Sequence, residues 1–138
     1  MKIVIDTNVL VAALRSRRCA SFKLVTFLPS DKFSIAISVP LVFEYEDALK
    51  RLESSAISEQ DIGDIVDFLC KIGHNQEIFF LWLPFLPDPH DDHVLEVAVA
   101  AGCDAIITYN KRDFRGAGRF CLRILDPREF LSEIGVIQ

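Results

Sequence analysis

Three apolar residues in a row, Ile3-Val4-Ile5, lead directly into a carboxylate at Asp6, and this stretch constrains the fold more than any other. In a strand, successive side chains face opposite sides of the sheet, so an unbroken apolar run requires cover on both faces. The same grammar returns at Ala105–Thr108, where Ala105-Ile106-Ile107 is followed by Thr108-Tyr109-Asn110. Both runs predict inner strands of a parallel sheet, and both deliver polar residues at a strand's carboxyl end. In such sheets, that edge is where ligands gather.

Further strand-like segments are Phe33–Ile37, Ile78–Leu83 and Leu122–Leu125. Helical patterns alternate with them. Asn8–Leu14 forms one, with Asp6 as a natural cap. Pro40 suits the first turn of a helix running to about Leu52, with Val42, Tyr45, Leu49 and Leu52 recurring at helical spacing. Ser58 and Asp61 form a capping-box pair for a helix with an apolar face of Ile62, Ile65, Val66, Leu69 and Ile72, ended by Gly73. Asp91 or Asp92 caps a helix carrying Val94, Leu95, Val97, Ala98 and Ala101, with Gly102 at its end; Pro127 opens the last helix and Gly135 closes it. The expected architecture is an α/β, three-layer α/β/α sandwich around a mostly parallel sheet of about five strands.

At 138 residues, without repeats or linkers, residues 1–138 read as a single domain able to bury its own core. The composition, 51% hydrophobic and 25% charged, is that of a globular chain. The longest apolar runs are strand-sized, so no membrane span is expected. Four scattered cysteines without a C-x-x-C pair, and no leader-like start, suit reduced thiols and a cytoplasmic location. A net charge of −5 argues against indiscriminate nucleic-acid binding. Local basic clusters remain, however: Arg15, Arg17 and Arg18 near the start, and Lys111, Arg112, Arg115 and Arg119 near the end.

The acids carry the chemistry. Asp6 reads as a helix cap or as a ligand. Glu44 borders an apolar helix face beside Leu41 and Phe43, and Asp88, Asp91 and Asp92 crowd one helix start. The helix dipole accounts for one or two of those three acids. Asp113 follows the fourth strand. If these carboxylates converge, an all-oxygen donor set suits Mg²⁺ or Mn²⁺ and phosphodiester hydrolysis. His90 and His93 form an H-x-x-H pair, but no third strong nitrogen or sulfur ligand accompanies them, His74 lying in a separate turn.

The order of these motifs resembles the PIN-domain ribonuclease family, whose bacterial members include VapC-type toxins. The resemblance rests on Ile5-Asp6-Thr7-Asn8, on Glu44 after the second strand, and on Asp92 opening Asp92–Ala101. It continues through Ile106–Phe114 and closes with Leu122–Leu125 running into Asp126-Pro127-Arg128-Glu129-Phe130-Leu131. It implies a metal-dependent endoribonuclease, the toxin of a bacterial type II toxin–antitoxin pair, with Asp6, Glu44, Asp92 and Asp113 holding Mg²⁺ or Mn²⁺. Asp91 is a further candidate ligand; Asp92 is preferred because it stands three before Leu95 and six before Ala98. Asn8 and Thr108 match positions that orient ligand carboxylates, with Asn110 beside them, and Arg15, Lys111 and Arg112 are candidates for binding RNA. An antitoxin protein and a second copy of the chain are the implied partners. Phe22, Phe27, Phe43 and Tyr45 are candidates for an antitoxin-binding surface, although core packing is the simpler expectation for them. Alternatives are an inactive PIN-like module that binds RNA or protein, and a haloacid-dehalogenase-type phosphatase. The phosphatase is disfavoured because Asn8 stands where a second acid would be needed and the acidic pair precedes Thr108.

Overall fold

The computed structural model describes residues 1–52, 57–78, 86 and 91–137. Among these residues, five strands form one sheet: β1 (Lys2–Ile5), β2 (Ser34–Ile37), β3 (His74–Asn75), β4 (Ala105–Ile107) and β5 (Arg123–Leu125). Their order is β3-β2-β1-β4-β5 and every pairing is parallel, so the expected mostly parallel sheet is fully parallel. Among the described residues, six α-helices accompany it: α1 (Thr7–Arg15), α2 (Ala20–Thr26), α3 (Val39–Lys50), α4 (Glu59–Ile72), α5 (Asp92–Ala100) and α6 (Pro127–Glu133).

The two apolar runs occupy the centre. Ile3, Val4 and Ile5, and likewise Ala105, Ile106 and Ile107, are almost wholly excluded from solvent. Neighbouring residues of a strand point to opposite faces, so both faces are covered and the molecule has three layers. Outside the sheet, α3 buries Leu41, Tyr45 and Leu49, and α4 buries Ile62, Val66 and Leu69. These are positions repeating every three or four residues, as a one-sided helix requires.

Helix boundaries follow local chemistry. Ser38 Oγ accepts the Leu41 amide at 3.2 Å, and Pro40 sits in the first turn of α3. Ser58 and Asp61 complete the expected capping box of α4. Gly102 follows α5 with φ of +67°, a conformation that glycine adopts without steric cost.

Three features depart from the sequence reading. The strand beside β2 is the two-residue, polar His74–Asn75, whereas residues 79–83 of the expected Ile78–Leu83 strand lie outside the described residues. Helix α2 was not anticipated: its seven residues have no side-chain cap, and Ser21 and Leu24 are what it buries. Tyr45 is no candidate for an exposed binding surface, being 2% exposed with its hydroxyl donating to the Ile5 carbonyl. Phe27 and Phe43 are exposed and Phe22 is half-buried. No helix among the described residues is long and apolar enough to cross a membrane.

A candidate acidic site at the carboxyl edge of the sheet

Strands β2 and β3 extend to one side of β1, and β4 and β5 to the other. The chain's direction across the sheet therefore reverses at β1 and β4, which opens a crevice beyond their carboxyl ends. The pairing Ile5↔Ile107 sets Asp6 level with Thr108. Backbone bonds from Asp6 N to Ile107 O and from Thr108 N to Leu125 O, both 2.9 Å, fix the two residues to the rigid sheet.

Asp6 is only 7% exposed, and its carboxylate is held from several sides. Oδ1 accepts the Thr7 amide at 2.9 Å, while Oδ2 accepts the Thr108 hydroxyl at 2.8 Å and the Asn8 amide at 3.3 Å. Asn8 is itself pinned, because its Oδ1 accepts the Tyr109 amide at 3.2 Å and its Nδ2 also donates to Thr108 Oγ1 at 3.3 Å. Thr108 Oγ1 further accepts the Asn110 amide at 3.0 Å. This network ties the turn after β1 to the turn after β4. Burial pushes the Asp6 carboxyl above its ordinary range, and the Glu44 charge adds to the push; hydrogen bonds from Thr108 and Thr7 and the nearby His93 work the other way.

Glu44 projects from α3 toward the same place. Its Oε2 accepts the Thr7 hydroxyl, and its Oε1 lies 3.4 Å from His93 Nε2 on α5. The other ring nitrogen, Nδ1, is buried and has no hydrogen-bond partner among the described residues. Behind these groups Tyr45 is pushed well above its ordinary pKa, first by burial and then by the Asp6 and Glu44 charges, so its hydroxyl stays a neutral donor.

An open cleft of ≈ 690 Å³ runs over this edge. Asp6, Glu44, Asp91 and Asp113 line it, as do Asn8, Asn110 and Arg15. Asp92 is not on its wall; one of its oxygens accepts the Leu86 amide at 2.9 Å. Thr108 lies fully buried beneath Asp6. Lys111 is paired with Glu129, and with Arg112 it lines a separate depression that shares Asn110 and Asp113 with the cleft. His90 and Asp88 lie outside the described residues, and His74 stands on β3.

Sequence reasoning missed Thr7, Asp47 and Arg51, all of which line the cleft. A signal for two of them exists: Glu44, Asp47, Ala48 and Arg51 follow the three-and-four spacing that puts residues on one helix face. Thr7 carries no such signal, since its partner lies 37 residues away.

The donor chemistry fits a hard divalent cation. Five carboxylates (Asp6, Glu44, Asp47, Asp91 and Asp113) and the side-chain amides of Asn8 and Asn110 line the cleft, and the Cys19 thiol on its wall donates to the carbonyls of Ser16 and Ala12. A buried carboxylate next to a second one is also the arrangement that a cation relieves. Among the described residues, no three His, Cys, Asp or Glu side chains close on one point as a finished cage, so the acids stand as walls of one cleft.

A family model described as a PIN domain matches residues 2–112, four-fifths of the chain, and stops one residue short of Asp113. Among solved structures, the chain is similar to VapBC-1 from nontypeable Haemophilus influenzae, with a TM-score of 0.63 and 13% identity over 93% of this chain and 99% of that one. It is also similar to VapBC2 from Rickettsia felis bound to a DNA fragment from their promoter, with a TM-score of 0.59 and 17% identity over 91% and 100% of the two chains. At such identities the likeness speaks for the fold. No curated protein matches the chain significantly.

Proposed function

The chain belongs to the PIN domain family, and on that premise we propose that it is a metal-dependent endoribonuclease, the toxin of a bacterial type II toxin–antitoxin pair. The observation that carries the reading is the Asp6 constellation: a buried carboxylate, rigidly held at the crevice of a parallel sheet and sharing an open cleft with Glu44, Asp91 and Asp113. Asp6, Glu44 and Asp113 would hold Mg²⁺ or Mn²⁺, with a fourth acid coming from the adjacent pair Asp91–Asp92. When bound, such an ion supplies an activated water and neutralises charge on the phosphoryl oxygens.

The remaining work falls to the chain's own groups. Thr108, Asn8 and the Thr7 amide fix the direction of the Asp6 oxygens, and Thr7 and His93 do the same for Glu44. Groups that orient ligands in this way typically matter 10–100-fold in metal affinity or activity, by order of magnitude. Arg15 and Arg51, which line the cleft, would meet phosphate. The whole chain acts as one PIN-like unit in the cytoplasm. Its antitoxin partner is suggested by the VapBC assemblies it resembles. A homodimer is part of the same proposal.

The test is cleavage of single-stranded and structured RNA by the purified protein with Mg²⁺, Mn²⁺ or EDTA. Metal-dependent cleavage lost in Asp6→Asn and Asp113→Asn is the expected result. Of the adjacent pair, Asp91→Asn is expected to cost more cleavage than Asp92→Asn, because Asp91 lines the cleft. Cleavage that persists in Asp6→Asn, or in EDTA, would overturn the proposal.

A further inference from the structure

A second groove, of ≈ 380 Å³, lies beside the acidic cleft, and Cys19 lines both. Its walls carry four cations: Arg17 and Arg18 from the turn between α1 and α2, Lys23 from α2, and Arg128 from α6. No acid lines it. In a chain of net charge −5, that is a marked local reversal. All four cations are exposed, and none of them has an ion-pair partner among the described residues, whereas Lys50, Lys111 and Arg123 each hold a glutamate. Arg15, on the rim of the cleft, stands two residues before this row.

The groove floor is different in kind. Ala20, Leu131, Ile137 and the half-buried ring of Phe22 make it apolar. Cations over an apolar, partly aromatic floor suit a strand that offers phosphates on one side and bases on the other. Guanidinium groups are matched to phosphate oxygens by their planar, forked donors. An acidic peptide would meet the same cations, but farther along it would face the carboxylates of the cleft with nothing to offer them. The groove is also too small for a duplex, being sized for a small ligand or a short stretch of one strand.

We propose that the groove formed by Arg17, Arg18, Lys23 and Arg128 binds the sugar–phosphate backbone of single-stranded RNA flanking the acidic cleft. The proposal rests on the reading of that cleft as a ribonuclease centre. It assigns the row of cations the task of fixing the register of the strand, while the cleft receives the phosphodiester to be cut.

The experiment measures the affinity of the full chain for a short fluorescent oligoadenylate RNA by anisotropy in EDTA, across a range of salt concentrations. For single strands, each phosphate contact contributes about 0.7 to the slope of log affinity against log salt. The double variant Arg17→Gln/Arg18→Gln and the single variants Lys23→Gln and Arg128→Gln should each bind more weakly at low salt, and each lost contact should lower the slope by about 0.7. Lys71→Gln, on α4, should bind as the wild type does. Because the variants lie on three separate segments and are exposed, thermal midpoints identify any that misfold, and the others still decide. Groove variants that bind with wild-type affinity and slope would overturn the proposal, as would a wild type that does not bind the RNA. Displacement of the RNA by polyglutamate as readily as by unlabelled RNA would also overturn it, in favour of an acidic protein partner. Cleavage with Mn²⁺ separates the two readings. Groove-dependent binding without cleavage supports the groove and contradicts the nuclease centre. Unaltered binding and cleavage in all groove variants contradicts the groove alone.

Discussion

Two turns of this molecule are written in the same grammar and used differently. After β1 comes Asp6 and then α1; after β5 comes Asp126 and then α6. Asp126 behaves as a helix cap is expected to: its Oδ1 accepts the Glu129 amide at 2.8 Å, and Glu129 Oε1 accepts the Asp126 amide in return at 3.0 Å. The Asp6 carboxylate takes the Thr7 helix amide on one oxygen, and its other oxygen turns sideways to Thr108 and the Asn8 side chain. The sheet explains the difference. β5 is an edge strand among the described residues, and the Asp126 side chain bonds within its own helix although it borders the depression beside Lys111 and Arg112. β1 is flanked on both sides, so Asp6 faces the turn after β4 and the α3 acid Glu44. An aspartate at a strand end becomes a site only where neighbouring strands bring it partners.

That contrast can be broken by substitution. The largest effect is expected from Asp6→Asn, which should lower metal-dependent RNA cleavage by more than about 100-fold, beyond what supporting groups usually cost. Asp126→Asn should leave cleavage unchanged, because asparagine caps as well as aspartate. Next comes Thr108→Val, which keeps the shape but removes the hydroxyl that donates to Asp6; a loss of about 10–100-fold in cleavage is expected from initial rates at saturating RNA.

A smaller effect separates the two turns by stability. Asp126→Ala should destabilise the protein by about 1 kcal/mol in urea unfolding with unchanged slope, the usual cost of removing a helix cap. Asp6→Asn should do the reverse in EDTA. The folded chain holds the Asp6 proton more tightly than the unfolded chain does, since burial raises its pKa. Folding then takes up a proton, and stability falls as pH rises from the ordinary carboxylate range through the raised value. The stability advantage of Asp6→Asn over the wild type should therefore widen from about pH 4, near the ordinary aspartate value, toward neutrality. A difference that is flat or narrows across that range would contradict the burial of an uncompensated charge.

Much of this was legible in the sequence, for a physical reason. The inner strands announce themselves because burial on both faces forbids polar residues, so Ile3-Val4-Ile5 and Ala105-Ile106-Ile107 have few alternative readings. The capping box at Ser58 and the Pro127 start are equally local. What escaped was set by tertiary context. β3 is polar because it is a two-residue edge strand with both residues exposed, and α2 depends on packing against α1 and α6 rather than on a cap. At the cleft, Asp6, Glu44 and Asp113 could be named as candidates from motif order, with Asn8 and Thr108 as groups that orient carboxylates, but the Thr7 bond to Glu44 could not. Thr7 with Glu44, and Asn8 with Thr108, join residues far apart in the chain. Tyr45 follows the core reading that its helical spacing with Leu49 offered, and turns inward to the Ile5 carbonyl.

The most direct test compares thermal midpoints of wild type, Asp6→Asn and Asp126→Asn with Mn²⁺ and with EDTA. A ligand bound only by the folded state stabilises it by about 2.7 kcal/mol at a hundred times its dissociation constant. Mn²⁺ should raise the midpoint of the wild type and of Asp126→Asn and leave that of Asp6→Asn where EDTA has it. An equal rise in all three, or none in the wild type, would contradict the assignment of Asp6 as the anchor of a metal site.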